Sequence, residues 1–398
     1  MTKDPRKTLG AESDYNVDLE HIRQILDECC DSALDPRDQD NQTYPFSAII
    51  GTILCAVLSG ANTVTAIFDY AKTKHTWLKK WLPLPEQAPG FQVFWWILVR
   101  LDPKYMESIF RNWISFLNPE DLKGVIAIDG KRIRGASKGK TSRGLVHIVS
   151  AWSSTRGLIL GQEKTDEKSN EITAIPELIN GLDITGATVT IDAMGCQKKI
   201  ASGIIEKGGD YVLALKGNQE SIHDEVSNFF EQAAAINFEE VRHDLDYTID
   251  KGHGRIEERT VYASDDLDWL PMKKEWKGLH SIVMLESTRS IDEKVSKEIR
   301  YYLTSLKPKA TRISKAIREH WGIENKVHWT LDVVYREDES QLSAGHAAEN
   351  ISIFKRLSMN MLRLDDDKKT SLASKRRRAG WSDDYMAEIL FKGSVKSF

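Results

Sequence analysis

Between residues 125 and 215 the chain reads VIAID (125–129), LVHIVSAWS (145–153), LILGQEKT (158–165), EITAIPELINGL (171–182), ATVTID (187–192) and YVLAL (211–215). Five of these are short runs dense in β-branched and apolar residues, the composition of buried strands. EITAIPELINGL instead spaces its apolar residues by three and four, which predicts a helix, and a second helix is expected over 197–206. The two runs VIAID and TVTID each end on an aspartate. Alternation of strands and helices on this scale predicts an α/β fold with a mixed sheet.

Three strands, a helix, a strand, a helix and a strand is the order of a ribonuclease H-like core, a mixed five-stranded sheet with helices on both faces. Upstream, residues 18–118 carry apolar residues at helical spacing, broken at Pro45, Pro83, Pro85, Pro89 and Pro103. Downstream, charged helix and strand material interrupts the core, and the helical pattern resumes at Thr311 through HWGIENKVHWTLDVVY. The expected organisation is therefore an all-helical N-terminal domain (1–120), an α/β domain (121–362) with an insertion at about 220–310, and a tail (363–398). The KRRR run at 375–378 reads as a solvated basic appendage.

A chain of 398 residues, 41% hydrophobic and 29% charged, is long enough for a sizeable core and is neither disordered nor fibrous. The net charge of −4 excludes a globally basic nucleic-acid coat, so any nucleic-acid contact must be local. Residues 43–68 carry no charge, but the apolar run AIIGTILCAVL (48–58) is too short to span a bilayer, which takes about 20 residues. It reads as a buried helix ended by Gly60, with a new helix beginning beyond it. Four cysteines without CxxC spacing, and an N-terminus without an apolar signal run, lead to the expectation of a reducing cytoplasm.

With 59 carboxylates in the chain, residue type alone identifies no site. Position does. Asp129 and Asp192 stand at the C-terminal ends of adjacent central strands, where ligands bind in α/β sheets. The competing role for each is a turn former or helix cap. Two such acids repel one another unless a cation lies between them. In the helix near 312–334, His320, Glu324 and His328 follow one another at four-residue spacing. Glu324 would complete a set of two Asp and one Glu, hard oxygen ligands suited to two Mg²⁺ or Mn²⁺ ions in phosphodiester displacement. A zinc hydrolase on His320, Glu324 and His328 is the rival, but it lacks HExxH spacing and leaves both aspartates unexplained. Beside the first acid, residues 123–143 hold seven Lys or Arg against one Asp, the footprint of a phosphate-backbone substrate. KGNQ (216–219) and HGRIEER (253–259) add cationic and amide donors.

IAIDGKRIRG, EKSNEITAIPEL, TIDAMGCQKKIA, YVLALKGNQ, HGRIEER and HWGIENKVHWTLDVVYRED, in this order over roughly residues 45–360, closely resemble H-repeat-associated, ISAs-type insertion-sequence transposases of the DDE class. The resemblance implies a ribonuclease H-like catalytic core with Asp129, Asp192 and Glu324 as catalytic, metal-holding acids. It also implies a long insertion before the Glu. The implied activity is Mg²⁺- or Mn²⁺-dependent cleavage of double-stranded DNA at element ends, followed by strand transfer of the 3′-hydroxyl into target DNA, by a homodimer in the DNA complex. Lys131, Arg132, Arg134, Lys216, Arg255 and Lys326 are the expected phosphate contacts. The sequence departs from related transposases around the last acid, with Ile317, His320 and Leu331 where Tyr, Arg and Lys are usual. A catalytically silent DNA-binding relic is the alternative reading.

Overall fold

The computed structural model describes residues 19–37, 42–115, 123–135, 146–165, 171–252, 254–291 and 294–392. Helices α1 (Leu19–Cys29), α2 (Phe46–Leu58), α3 (Val64–Thr73), α4 (His75–Leu78), α5 (Phe91–Arg100) and α6 (Pro103–Ser115) come first. Strands β1 (Val125–Ile133), β2 (Val146–Ser153) and β3 (Leu158–Lys164) follow, then α7 (Glu171–Asn180), β4 (Thr188–Ile191), α8 (Lys198–Glu206) and β5 (Asp210–Leu215). The next segment is α9 (Glu220–Ala235) with β6 (His243–Gly252), β7 (Arg255–Ser264), β8 (Ser281–Ile291) and β9 (Lys294–Thr304). The chain then runs through α10 (Ala310–Gly322), a π-helical turn (Ile323–His328), α11 (Trp329–Val333), α12 (Ala347–Leu364), α13 (Leu372–Trp381) and α14 (Asp383–Lys392).

The strands form one mixed sheet in the order β3-β2-β1-β4-β5-β9-β8-β7-β6. The parallel pairs β1–β4 and β4–β5 lie at its centre, with β2 and β3 antiparallel on one side. The five strands expected from the sequence are five of nine in one larger sheet. Strand β9 pairs antiparallel with β5, Val212 opposite Thr304, so the β6–β9 meander extends the sheet to nine strands.

Helix α2 is buried along its whole length, as a uniformly apolar helix in a protein core must be. Gly60 ends its turn at φ +111°, and Thr63 caps α3 by accepting from the Ala66 N–H at 3.1 Å. Among the described residues no helix is long and apolar enough to cross a membrane. The four cysteines are buried free thiols. Helix α12 joins the helical layers to the sheet through buried amides. Asn350 donates to the carbonyls of Leu98 and Leu101, and Asn360 bonds both Ile159 N and Ile159 O, giving the edge strand β3 partners for groups it would otherwise leave open.

The tail expectation is corrected. Residues 375–378 lie in α13, where Lys375 and Arg376 are buried. The Arg376 guanidinium donates to the carbonyls of Val57 at 3.0 Å and Val334 at 2.7 Å, and to Asn62 Oδ1 at 2.9 Å. Val57 lies in the last turn of α2, so the cation sits at the negative, C-terminal end of that helix. Arg377 and Arg378 alone match a solvated run.

Candidate active site

Strand β1 is fully buried from Val125 to Ile128 and emerges at Asp129, while β4 is buried from Thr188 to Ile191 and emerges at Asp192. Their parallel pairing, Ile128 opposite Ile191, brings both acids to the same rim of the sheet. Asp192 caps the short helix Ala193–Gly195, its Oδ1 accepting from the N–H groups of Met194 (3.1 Å) and Gly195 (3.3 Å). The capping role and a site role thus coexist, because the cap uses one oxygen.

The third acid arrives on the π-helical turn after α10, whose Trp329 N–H donates to the Glu324 carbonyl in an i→i+5 bond. Such turns widen the helix and re-aim its side chains. His320 bonds Thr190 Oγ1 through Nδ1 at 3.0 Å, Glu324 opens into a cleft of about 180 Å³ with Asp192, Lys216, Arg300 and Trp321, and His328 Nδ1 lies 3.6 Å from Asp129 Oδ2. The three therefore serve different partners, which is a poor arrangement for one shared zinc ion. Helix α10 reaches the sheet because Gly322 lies against the Trp152 indole. A Cβ on Gly322 would fall 2.4 Å from Trp152 Cη2, and Trp152 is buried. Gly322→Ala should therefore destabilise the fold by about 1–3 kcal/mol, although alanine is the better helix former. Thermal melting of the variant tests this, and an unchanged or raised Tm would contradict it.

All three acids are held above the ordinary carboxylate range. Burial pushes the Asp129 carboxyl up to about 8, helped by the negative charges of Asp192, Glu171 and Glu324. Asp192 is raised by burial and then by Glu171, against the pull of the Gly195 and Met194 N–H groups and of Lys216. Glu324 is raised by burial and Asp192 and lowered by Arg300. Burial holds His320 down to about 4, and burial with Arg356 and Lys131 holds His328 down to about 3, so both imidazoles are neutral near pH 7. The donor set offered to a metal is hard carboxylate oxygen with unbalanced negative charge, which fits Mg²⁺ or Mn²⁺. Among the described residues, as the side chains stand, no three acids, histidines or cysteines converge closely enough to hold an ion.

The expected phosphate contacts divide. Lys216 is exposed on the cleft, Arg132 and Arg134 are exposed at the end of β1, and Lys326 is exposed with its ammonium 5.6 Å above the Trp152 ring. Arg255 opens β7 and lines a groove of about 620 Å³ with Arg259, Arg289, Arg300, Trp321 and Glu324. Lys131 is corrected. The alternation along β1 turns it inward, where its ammonium meets Asp332 at 2.7 Å and Asp338 at 3.1 Å. Lys138, Lys140 and Arg143 of the basic strip, and His253, lie outside the described residues. Ile317 and Leu331, at the places usual for Tyr and Lys, are buried. The sequence reading missed Arg300, Glu171 and His147. Arg300 reaches the Glu324 cleft from β9, next to the residues that pair with β5, while Glu171 and His147 stand inside the quoted runs EKSNEITAIPEL and LVHIVSAWS with nothing local to single them out.

The family model described as "Transposase DDE domain" matches residues 120–361, and the model described as "DDE_Tnp_1-associated" matches residues 28–114. The chain is similar to "H repeat-associated putative transposase YhhI" of Escherichia coli strain K12, 39% identical over 87% of this chain and 92% of that protein. It is similar at 39% identity to "Putative transposase YncI" of Escherichia coli O157:H7, over 92% of this chain and 94% of that protein. A third relative, "Uncharacterized protein in dhlA 3'region" of Xanthobacter autotrophicus, is 41% identical over 68% of this chain.

Proposed function

Because the chain belongs to the DDE transposase family, we propose that it cuts double-stranded DNA at the ends of an insertion sequence and joins the freed 3′-hydroxyl to target DNA. Asp129, Asp192 and Glu324 are the catalytic acids in this reading. The observation that supports it is geometric: the parallel β1–β4 pairing puts Asp129 and Asp192 on one rim of the sheet, and Glu324 lines the same cleft as Asp192 although it lies 132 positions further along the chain.

In this reading β3-β2-β1-β4-β5 is a ribonuclease H-like core, β6–β9 its insertion, and the helices within 1–120 an associated domain. Divalent cations, when bound, neutralise the charge that develops on the attacking and leaving oxygens. The protein's own groups do the rest. The buried strands hold Asp129 and Asp192 at fixed depth, and the Met194 and Gly195 N–H groups fix the orientation of the second. Neutral His320 and His328 line the acids without adding a positive charge that would compete with a cation. Lys216, Arg132, Arg134, Arg255 and Lys326 neutralise DNA phosphates around the acids. Cutting two ends calls for two copies at work, on nucleoid DNA in the cytoplasm.

The test is incubation of the purified chain with a plasmid carrying the element's own ends. With Mg²⁺ or Mn²⁺, breaks bearing 3′-hydroxyls should appear at those ends, and EDTA should abolish them. Binding of those ends without cleavage under either metal would overturn the proposal and favour a silent DNA-binding relic.

A further inference from the structure

We propose that Glu171 is a fourth carboxylate of the acid site, a cation ligand on the side of Asp129 and Asp192, and that His147 positions it. The inference rests on the metal-dependent reading above and adds two residues to it.

Glu171 opens α7, which packs on β2 and on the short helix that follows Asp192. It is buried, and His147 Nε2 stands 2.9 Å from its Oε1. His147 comes from β2, directly opposite Arg132 of β1, so the pair bridges α7 to the strand that carries Asp129. The closeness is visible at Gly130, the residue after Asp129. A Cβ there would fall 2.1 Å from Glu171 Oε1 and 2.6 Å from His147 Nε2, so the glycine lets the carboxylate lie against the backbone of β1. On its other side α7 meets the turn that follows Asp192, with Ile175 packed toward Gly195. The first residue of α7 thus lies against the residue after Asp129, and the body of the same helix against the turn after Asp192.

A carboxylate kept inside the protein beside two others is electrostatically unfavourable without a compensating cation. An imidazole that donates to one oxygen of such a group fixes its direction, the usual arrangement behind a metal ligand.

A Glu171–His147 pair that merely ties α7 to β2 would have no effect on cation affinity, and that difference is measurable. Mn²⁺ binding is titrated calorimetrically into the full-length, DNA-free protein as wild type, Glu171→Gln and Asp129→Asn. Glu171→Gln keeps the shape and an acceptor for His147, and should weaken Mn²⁺ binding by about tenfold or more. Wild-type affinity in Glu171→Gln with weakened affinity in Asp129→Asn would overturn the inference and leave the functional reading standing. Wild-type affinity in both would overturn both. If Glu171→Gln does not fold, Glu171→Asp is read in the same way, with reduced affinity supporting the role and unchanged affinity overturning it. His147→Ala should weaken Mn²⁺ binding and His147→Gln, which restores an N–H donor, should recover it. Equal affinities in these two variants and the wild type would overturn the positioning role.

Discussion

Asp129→Asn is expected to lower metal-dependent DNA cleavage by on the order of 10³-fold or more, with binding to the same DNA retained. The substitution conserves size at a position fixed by a buried strand, so it changes charge and little else. An amide oxygen cannot balance a dication as a carboxylate does. Because the acids act as a unit, Asp192→Asn and the double variant should fall to the same floor. Gel analysis of nicked product with Mg²⁺ and with Mn²⁺ measures the loss. Activity within tenfold of wild type would remove Asp129 from the site. Without metal the same variant should be more stable, not less. The folded-state pKa of Asp129, about 8, lies above its ordinary 3.8. The stability this group contributes is therefore complete below about pH 4 and is lost as pH rises toward 8. At pH 8 in EDTA the asparagine variant lacks that buried, repelled charge and should melt a few degrees higher, roughly 2–5 °C. At pH 4 the two proteins should melt together.

The central strands were legible because their two buried faces leave uninterrupted apolar runs, and because an aspartate at the end of such a run has little reason to be there except a cap or a site. The strands β6–β9 were not. In β6, HDLDYTIDKG, no residue is buried, so no apolar run marks it as part of a sheet, and its place depends on hydrogen bonds with β7. Lys131 looked like part of a basic strip because charge was read along the chain, whereas a strand sends neighbouring side chains to opposite faces. KRRR misled for a related reason, since whether Arg376 is solvated depends on carbonyls of Val57 and Val334, more than 40 positions away. The four-residue spacing of His320, Glu324 and His328 predicted one shared face. The π turn separates them, and a hydrogen-bond register of that kind is set by packing rather than by local composition. Glu171 stands inside the quoted block EKSNEITAIPEL, but as one acid among 59 at the start of a helix it carries no strand-end position of the kind that singled out Asp129 and Asp192.

Glu337→Ala is expected to destabilise the fold by roughly 3–5 kcal/mol, the largest stability effect predicted here for a residue outside the acid rim. Glu337 is fully enclosed with Arg356, whose Nη1 donates to its Oε1 at 2.8 Å, and Ser352 Oγ bonds the same oxygen at 3.0 Å. Lys131 approaches Oε2 at 3.8 Å, and the buried Lys355 adds its charge. Burial alone would raise this carboxyl, yet the cations of Arg356, Lys355 and Lys131 hold it down to about 2. Removing the anion leaves Arg356 and Lys355 in the interior without their counter-charge, and neither has a solvent-exposed route out because α12 is packed on both sides. Since the folded pKa lies below the ordinary 4.5, the stabilisation is present above pH 4.5 and is lost as pH falls through 2, so wild type and Glu337→Ala should converge on acidification. Arg356→Met in the Glu337→Ala background should recover part of the loss, because it removes a stranded charge and replaces it with apolar volume. Urea melts of the two single variants and the double variant measure the coupling. Additive losses would mean that Glu337 and Arg356 do not act as a buried pair.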